Sequence, residues 1–310
     1  MSKRPNILFI MADQMKASIL RIYSEIGIEC PQIEKLAEEG IKFENAITPS
    51  PLCVPARTSI MTGKYPSRID ATNWFSGTRS GKFNPAPLHS NMPLKEVTLA
   101  ESLKEAGYKT AFLGKWHLGP DPKFWPENQG FDINVGGHNR GSPPGGYFSP
   151  YKNPNISDGP KGEYLTDRIG DEVVNFIDNN QNETFFAYVP FYSVHTPIQS
   201  KKEYQEKYLN KVGDENHNRA DYAGMIESLD ENIGRILNKI EELKKKPDLV
   251  DPTAINIHGA IHKKVPHAKC ILHVHSKYAT ALSTLKNPTL PPIDQNTMRF
   301  YNRIAVSYTH

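Results

Sequence analysis

Three short apolar runs constrain this fold more than anything else in the chain. Residues 6–12, 109–113 and 185–189 each have strand length; the first runs into Asp13, the second into Gly114-Lys115, and the third leads by way of Pro190 to His195. The first is bounded by Pro5 and Asp13. Continuous apolar runs of this length read as strands buried on both faces, which is the habit of parallel sheets. Between them lie segments of helical period. Residues 31–39 begin with Pro31 and place Ile33, Leu36 and Ala37 on one face, with Gly40 at the end. Thr98 and Glu101 form a capping box that opens a short helix ending near Gly107. Residues 167–179 set Ile169, Val173, Phe176 and Ile177 on one face, and residues 221–246 carry the strongest periodicity, from Tyr222 to Leu243. Strands alternating with helices predict an α/β fold, a mostly parallel sheet with helices on both faces. Ligands in such sheets bind beyond the carboxyl ends of strands. Asp13, the stretch Lys115-Trp116-His117 and His195 all fall there, so the pattern predicts one shared site.

Residues 70–92 and 120–161 read as loops, and the stretch Gly136-Gly137-His138-Asn139-Arg140-Gly141-Ser142-Pro143-Pro144-Gly145-Gly146 is too rich in Gly and Pro for a helix. Long loops in a compact domain are often binding elements. With 37 basic and 34 acidic residues the net charge is +3, which gives no electrostatic footprint for nucleic acid. Cys30, Cys53 and Cys270 are too few for a disulfide framework. No run reaches the ~20 apolar residues of a membrane span, and the first run is too short for a signal sequence. As written, the chain is expected to be cytoplasmic, or periplasmic or secreted if a leader is missing.

The motif Cys53-Val54-Pro55-Ala56-Arg57, within Pro51 to Pro66, and a second signature, Gly107-Tyr108-Lys109-Thr110-Ala111-Phe112-Leu113-Gly114-Lys115-Trp116-His117-Leu118-Gly119, carry a resemblance. From about residue 5 to 243 the chain resembles the formylglycine-dependent sulfatases of the alkaline-phosphatase superfamily. The resemblance implies that Cys53 is oxidised by a formylglycine-generating enzyme to an aldehyde. In the hydrated aldehyde one hydroxyl attacks sulfur and the other later expels sulfate. It also implies that Arg57 holds this diol, that Lys115 binds sulfate, that His117 contacts the formylglycine, and that His195 protonates the leaving alcohol. Asp13, Gln14 and the modified Cys53 would hold a divalent cation, calcium by resemblance. Many relatives have a second Asp where this chain has Gln14, which supplies an oxygen but no charge. The expected substrate is a sulfated carbohydrate or an aryl sulfate. A phosphate or phosphonate monoester is the nearest rival, and an inactive chimeric fragment is the rival from another class.

The sulfatase resemblance ends near Leu243, without the further strand, ending in an Asp-Asn or Asp-His pair, that completes the metal site in that family. The expectation is a sulfatase-like catalytic domain over residues 1–246, truncated at its carboxyl end. Residues 251–305 instead resemble a piece of the class II aldolase/adducin family, with His273 and His275 as an isolated H-x-H pair. Residues 247–310 are read as an aldolase-like fragment that lacks the further ligands of a closed zinc site.

Overall fold

The computed structural model describes residues 4–25, 27–75, 82, 86–209 and 220–244. The aldolase-like stretch, with His273 and His275, lies outside the described residues, which all fall in one compact unit. The apolar runs form strands β1 (Ile7–Met11), β2 (Lys109–Leu113) and β4 (Phe185–Pro190). A further strand, β3 (Ile133–Val135), was expected as loop; three residues are too short to display a period. The order is β1-β4-β2-β3, and every pairing is parallel.

Successive side chains divide between two cores, as the pleat requires. Leu8, Ile10, Ala111, Leu113, Phe185, Ala187 and Val189 enter one, which α4 (Leu165–Asn179) and α6 (Ala220–Lys244) cover. Ile7, Phe9, Met11, Phe112, Phe186 and Tyr188 enter the other, with α2 (Cys53–Thr62) and α3 (Leu99–Glu105) above them. Helices therefore lie on both faces. β4 is buried along its whole length, whereas β1, which pairs with β4 alone among the described strands, is only half-buried.

The helix boundaries follow local chemistry. Thr98 caps α3 in the predicted reciprocal box with Glu101. α1 (Pro31–Glu39) begins with proline and ends as Gly40 donates to the Leu36 carbonyl. Its first turn is held from a distance: Asp230 on α6 accepts the N–H groups of Gln32 and Ile33 at 3.1 and 2.9 Å. α6 also touches α4 closely, because a Cβ on Gly170 would sit 2.1 Å from Asn232 Oδ1. The short helix α5 (Lys202–Tyr208) packs on α6 and lacked a clear sequence signal. No helix among the described residues is long and apolar enough to cross a membrane.

Candidate active site

Four chain segments deliver the site residues, three of them at strand ends. Beyond β1, Asp13 stays hydrogen-bonded to the chain leaving β4: its N–H donates to the Ser193 carbonyl and its own carbonyl accepts from Val194, both at 2.8 Å. Beyond β2 the chain turns at Gly114, whose φ of 142° is paired with a steric need, since a Cβ would lie 2.1 Å from the Pro190 carbonyl oxygen. That close approach lets Lys115 N–H donate to Pro190 O at 2.8 Å and turns its side chain inward. Two residues on, His117 adopts a left-handed backbone and donates its N–H to His138 O. Beyond β4, His195 is anchored through its N–H to the Tyr192 carbonyl at 2.9 Å.

The fourth segment is α2, which opens at Cys53. Pro55 sits in the first turn, where a missing N–H costs no hydrogen bond. Thr58 and Thr62 return their hydroxyls to the carbonyls of Val54 and Thr58. Gly63, with φ 67°, ends the helix in the left-handed region. The start of α2 thus places Cys53 among uncapped amide groups, with Arg57 one turn below.

The hydrogen bonds of Arg57 go to the other members of the cluster. Its Nη2 donates to Asp13 Oδ2 at 2.5 Å and its Nη1 to the Lys115 carbonyl. The Lys115 ammonium lies 2.7 Å from the same Asp13 oxygen, a buried ion pair that leaves its remaining N–H groups without a further side-chain partner among the described residues. Asp13, Arg57 and Lys115 are 5 %, 3 % and 0 % exposed. Two buried cations therefore face one buried carboxylate, and the cluster carries a surplus positive charge. Burial works to raise the Asp13 carboxyl, but Arg57 and then Lys115 outweigh it and hold it below the usual range. Burial, and next the Arg57 charge, hold Lys115 down.

The Cys53 thiol is lowered to about 5. Burial opposes this; hydrogen bonding from His117 and His195 and the Lys115 charge overcome it. His195 Nδ1 lies 2.8 Å from the Thr196 carbonyl. A carbonyl only accepts, so Nδ1 carries the proton and Nε2 is left for the site. Ligand atoms of Asp13, Cys53 and His195 lie within 4.8 Å of one another. Gln14 is exposed, with φ 60°. A hard cation such as calcium takes six to eight oxygens. Among the described residues, Asp13 and Gln14 supply only part of such a set, and Asp13 already serves two cations. The donors present do not by themselves complete a calcium site.

Sequence reasoning named Cys53, Arg57, Lys115, His117, His195 and Asp13, and the fold gathers them. It missed Tyr147, whose hydroxyl donates to the carbonyls of Tyr192 and His195 at 2.7 and 2.9 Å and so fixes the last histidine. The only signal near Tyr147 was the Gly/Pro-rich loop before it.

A half-exposed nucleophile at a helix start, flanked by two histidines and a buried cationic cluster at the carboxyl edge of a parallel sheet, defines a hydrolase-type site for an oxyanion ester. The sequence matches the family described as Sulfatase over residues 5–250, and the chain belongs to that family. Membership implies a metal and a formylglycine. Residues 224–310 also match the Class II Aldolase and Adducin N-terminal domain. Human N-acetylgalactosamine-6-sulfatase is 31% identical over 264 residues, which cover 77% of this chain and 47% of that protein. An arylsulfatase of Hemicentrotus pulcherrimus is 31% identical over 261 residues, or 77% of this chain and 44% of that protein. The chain thus spans about half the length of these curated relatives. The crystal structure of Ps i-CgsB in complex with k-i-k-neocarrahexaose superposes with a TM-score of 0.64 at 28% identity, covering 78% of this chain and 56% of that one.

Proposed function

We propose that residues 1–246 form the catalytic body of a sulfuric ester hydrolase acting on a sulfated carbohydrate or aryl sulfate, with residues 247–310 as a separate aldolase-like fragment. The observation that carries this reading is the surplus positive charge of Arg57 and Lys115 over Asp13, set beside Cys53. A sulfate ester needs its non-bridging oxygens neutralised, and a buried ammonium with N–H groups to spare beyond its Asp13 ion pair is suited to that. The relatives' names, N-acetylgalactosamine-6-sulfatase and arylsulfatase, and the carbohydrate bound in the Ps i-CgsB crystal support the substrate class.

In this reading Cys53, converted to formylglycine by its generating enzyme, supplies the attacking oxygen. Lys115 and His117 hold the sulfate oxygens. His195, oriented by its Nδ1–H bond to Thr196, acts in its imidazolium form: Nε2–H gives its proton to the departing alcohol and leaves the neutral Nδ1–H imidazole. Arg57 anchors Asp13 and the Lys115 carbonyl, which keeps the cluster in register with Cys53. A divalent cation, calcium by family resemblance, would supply further charge neutralisation beside Asp13, Gln14 and residue 53, with donors beyond those two side chains needed to complete its shell.

The test is co-expression with a formylglycine-generating enzyme. The peptide containing Cys53 should lose roughly 18 Da as CH₂SH becomes CHO, and Arg57→Ala should reduce that conversion. Converted chain should then hydrolyse an aryl sulfate faster than the matching phosphate ester. A phosphate preference would move the chain to the phosphomonoesterase side of the superfamily. Absence of the mass change would remove the formylglycine assignment.

A further inference from the structure

The loop between β3 and α4 ties together the two histidines that flank Cys53. At its start the His138 carbonyl accepts the His117 N–H at 3.0 Å. Further along, still within the loop, the Tyr147 hydroxyl holds the His195 carbonyl at 2.9 Å, and Tyr147 N–H donates to Gln199 Oε1 at 2.9 Å. Between these anchors Gly141 presses on the His117 ring, where a Cβ would lie 2.4 Å from the imidazole Cε1. The residue before it, Arg140, is exposed, and its N–H bonds to His138 Nδ1 at 3.2 Å. Its charge acts on the His138 ring, yet it makes no ion pair with a carboxylate among the described residues. Most exposed arginines are simply solvated. This one is next to the residue touching an imidazole of the site, on a stretch anchored on either side at His138 and Tyr147, and outside the buried cluster that serves the reacting group.

We propose that Arg140 is a specificity-determining residue that recognises a second oxyanion, a sulfate or a carboxylate, on the organic part of the ester. The inference rests on the sulfate-ester reading above. A guanidinium forks onto either oxyanion through two parallel hydrogen bonds, and it loses little hydration in doing so. The anchors at His138 and Tyr147 hold the Arg140 backbone beside His117, so a second anion would be read relative to the sulfate being cleaved.

The test is calorimetric binding to the full chain carrying Cys53→Ala, which cannot turn over, with calcium present. Three ligands are compared: a sulfated monosaccharide with no other charge, the same sugar with a second sulfate, and the monosulfated sugar joined to a uronate. Arg140→Ala should weaken the two doubly anionic ligands about fivefold and the singly charged one by less than twofold. Arg140→Lys should recover part of the loss. Comparing the sulfate and uronate ligands shows which anion the site prefers. Equal losses for all three ligands would assign Arg140 a structural role only and overturn the proposal, as would no loss for any. If the parent binds none of the ligands, the sulfate-ester reading fails and takes this proposal with it. If the parent binds the monosulfate but gains nothing from the second anion through Arg140, only this proposal fails.

Discussion

Two cysteines stand at the beginnings of two helices, and they have opposite chemistry. Cys53 is the first residue of α2 and Cys30 is the N-cap of α1. Both therefore sit at the positive end of a helix, which favours a thiolate. Yet Cys53 is lowered to about 5, while Cys30 is pushed well above the ordinary thiol range. For Cys30 burial is the largest cause, and the carboxylates of Asp230, Glu34 and Glu227 add to it. Cys53 is also partly buried, but it faces His117, His195 and Lys115. The comparison teaches that the helix start is secondary; the charges that the tertiary fold brings to the sulfur decide whether it can react.

The largest effect should separate the two thiols directly. With unmodified, metal-free chain at neutral pH, iodoacetamide should label Cys53 on the order of 10⁴-fold faster than Cys30, since one is a thiolate in reach and the other a buried thiol. Peptide mass spectrometry over time measures the ratio. The Cys53 rate should be flat above about pH 6 and fall below pH 5. A rate that climbs through pH 8 would mean an ordinary thiol and break the comparison.

Next in size is the carboxylate that balances the cationic cluster. Asp13→Ala leaves Arg57 and Lys115 buried without a counter-charge, and should cost about 3–5 kcal/mol of stability in urea unfolding. Lys115→Met in the same chain should return part of it, because the surplus charge is reduced. Because the Asp13 carboxyl is lowered in the fold, its stabilisation is fully present above the ordinary value of 3.8 and is lost as pH falls through the folded value. Asp230 has the opposite sign. Burial raises it, so its contribution is greatest in acid and shrinks as pH rises past 3.8. Unfolding curves of Asp230→Asn against the parent chain, between about pH 4 and 6, should show the variant gaining relative stability as pH rises.

A smaller effect follows from removing one imidazole at a time. His117→Ala or His195→Ala should move the midpoint of Cys53 alkylation upward by about 1 pH unit, since each takes away one hydrogen bond to the thiolate. A midpoint that stays at about 5 in both variants would leave Lys115 as the sole cause. The smallest effect belongs to the quiet cysteine. Asp230→Ala should cost about 1 kcal/mol through loss of the α1 cap, while Cys30 stays unlabelled, because burial rather than Asp230 dominates its shift.

The same contrast explains how much could be read beforehand. The apolar runs and the periodicity of residues 221–246 are local patterns, and β1, β2, β4 and α6 appear within a residue or two of where the patterns put them. The capping box at Thr98 depends on four consecutive residues and formed as expected. β3 has three residues and α5 seven, too few for a period to stand out. The sequence resemblance carried the sulfatase body to about Leu243 and began the aldolase-like stretch at residue 251, which leaves the helix of residues 221–246 with the sulfatase part. In the fold, Asp230 caps α1 and Asn232 lies against Gly170, so α6 is part of the sulfatase body.

By itself the sequence determined which chemical groups the chain owns and where its strands stop: Cys53 and Arg57 four residues apart, Asp13, Lys115 and His195 just beyond three strands. Those are consequences of neighbouring residues and of backbone period. Only the tertiary structure decided what each group faces. Arg57 bonded to Asp13 and to the Lys115 carbonyl, Tyr147 fixed His195 from 48 positions away, and Gly141 closed on His117. The physical reason is that a charge acts through space and burial, over a few ångströms, while the sequence records only separation along the chain.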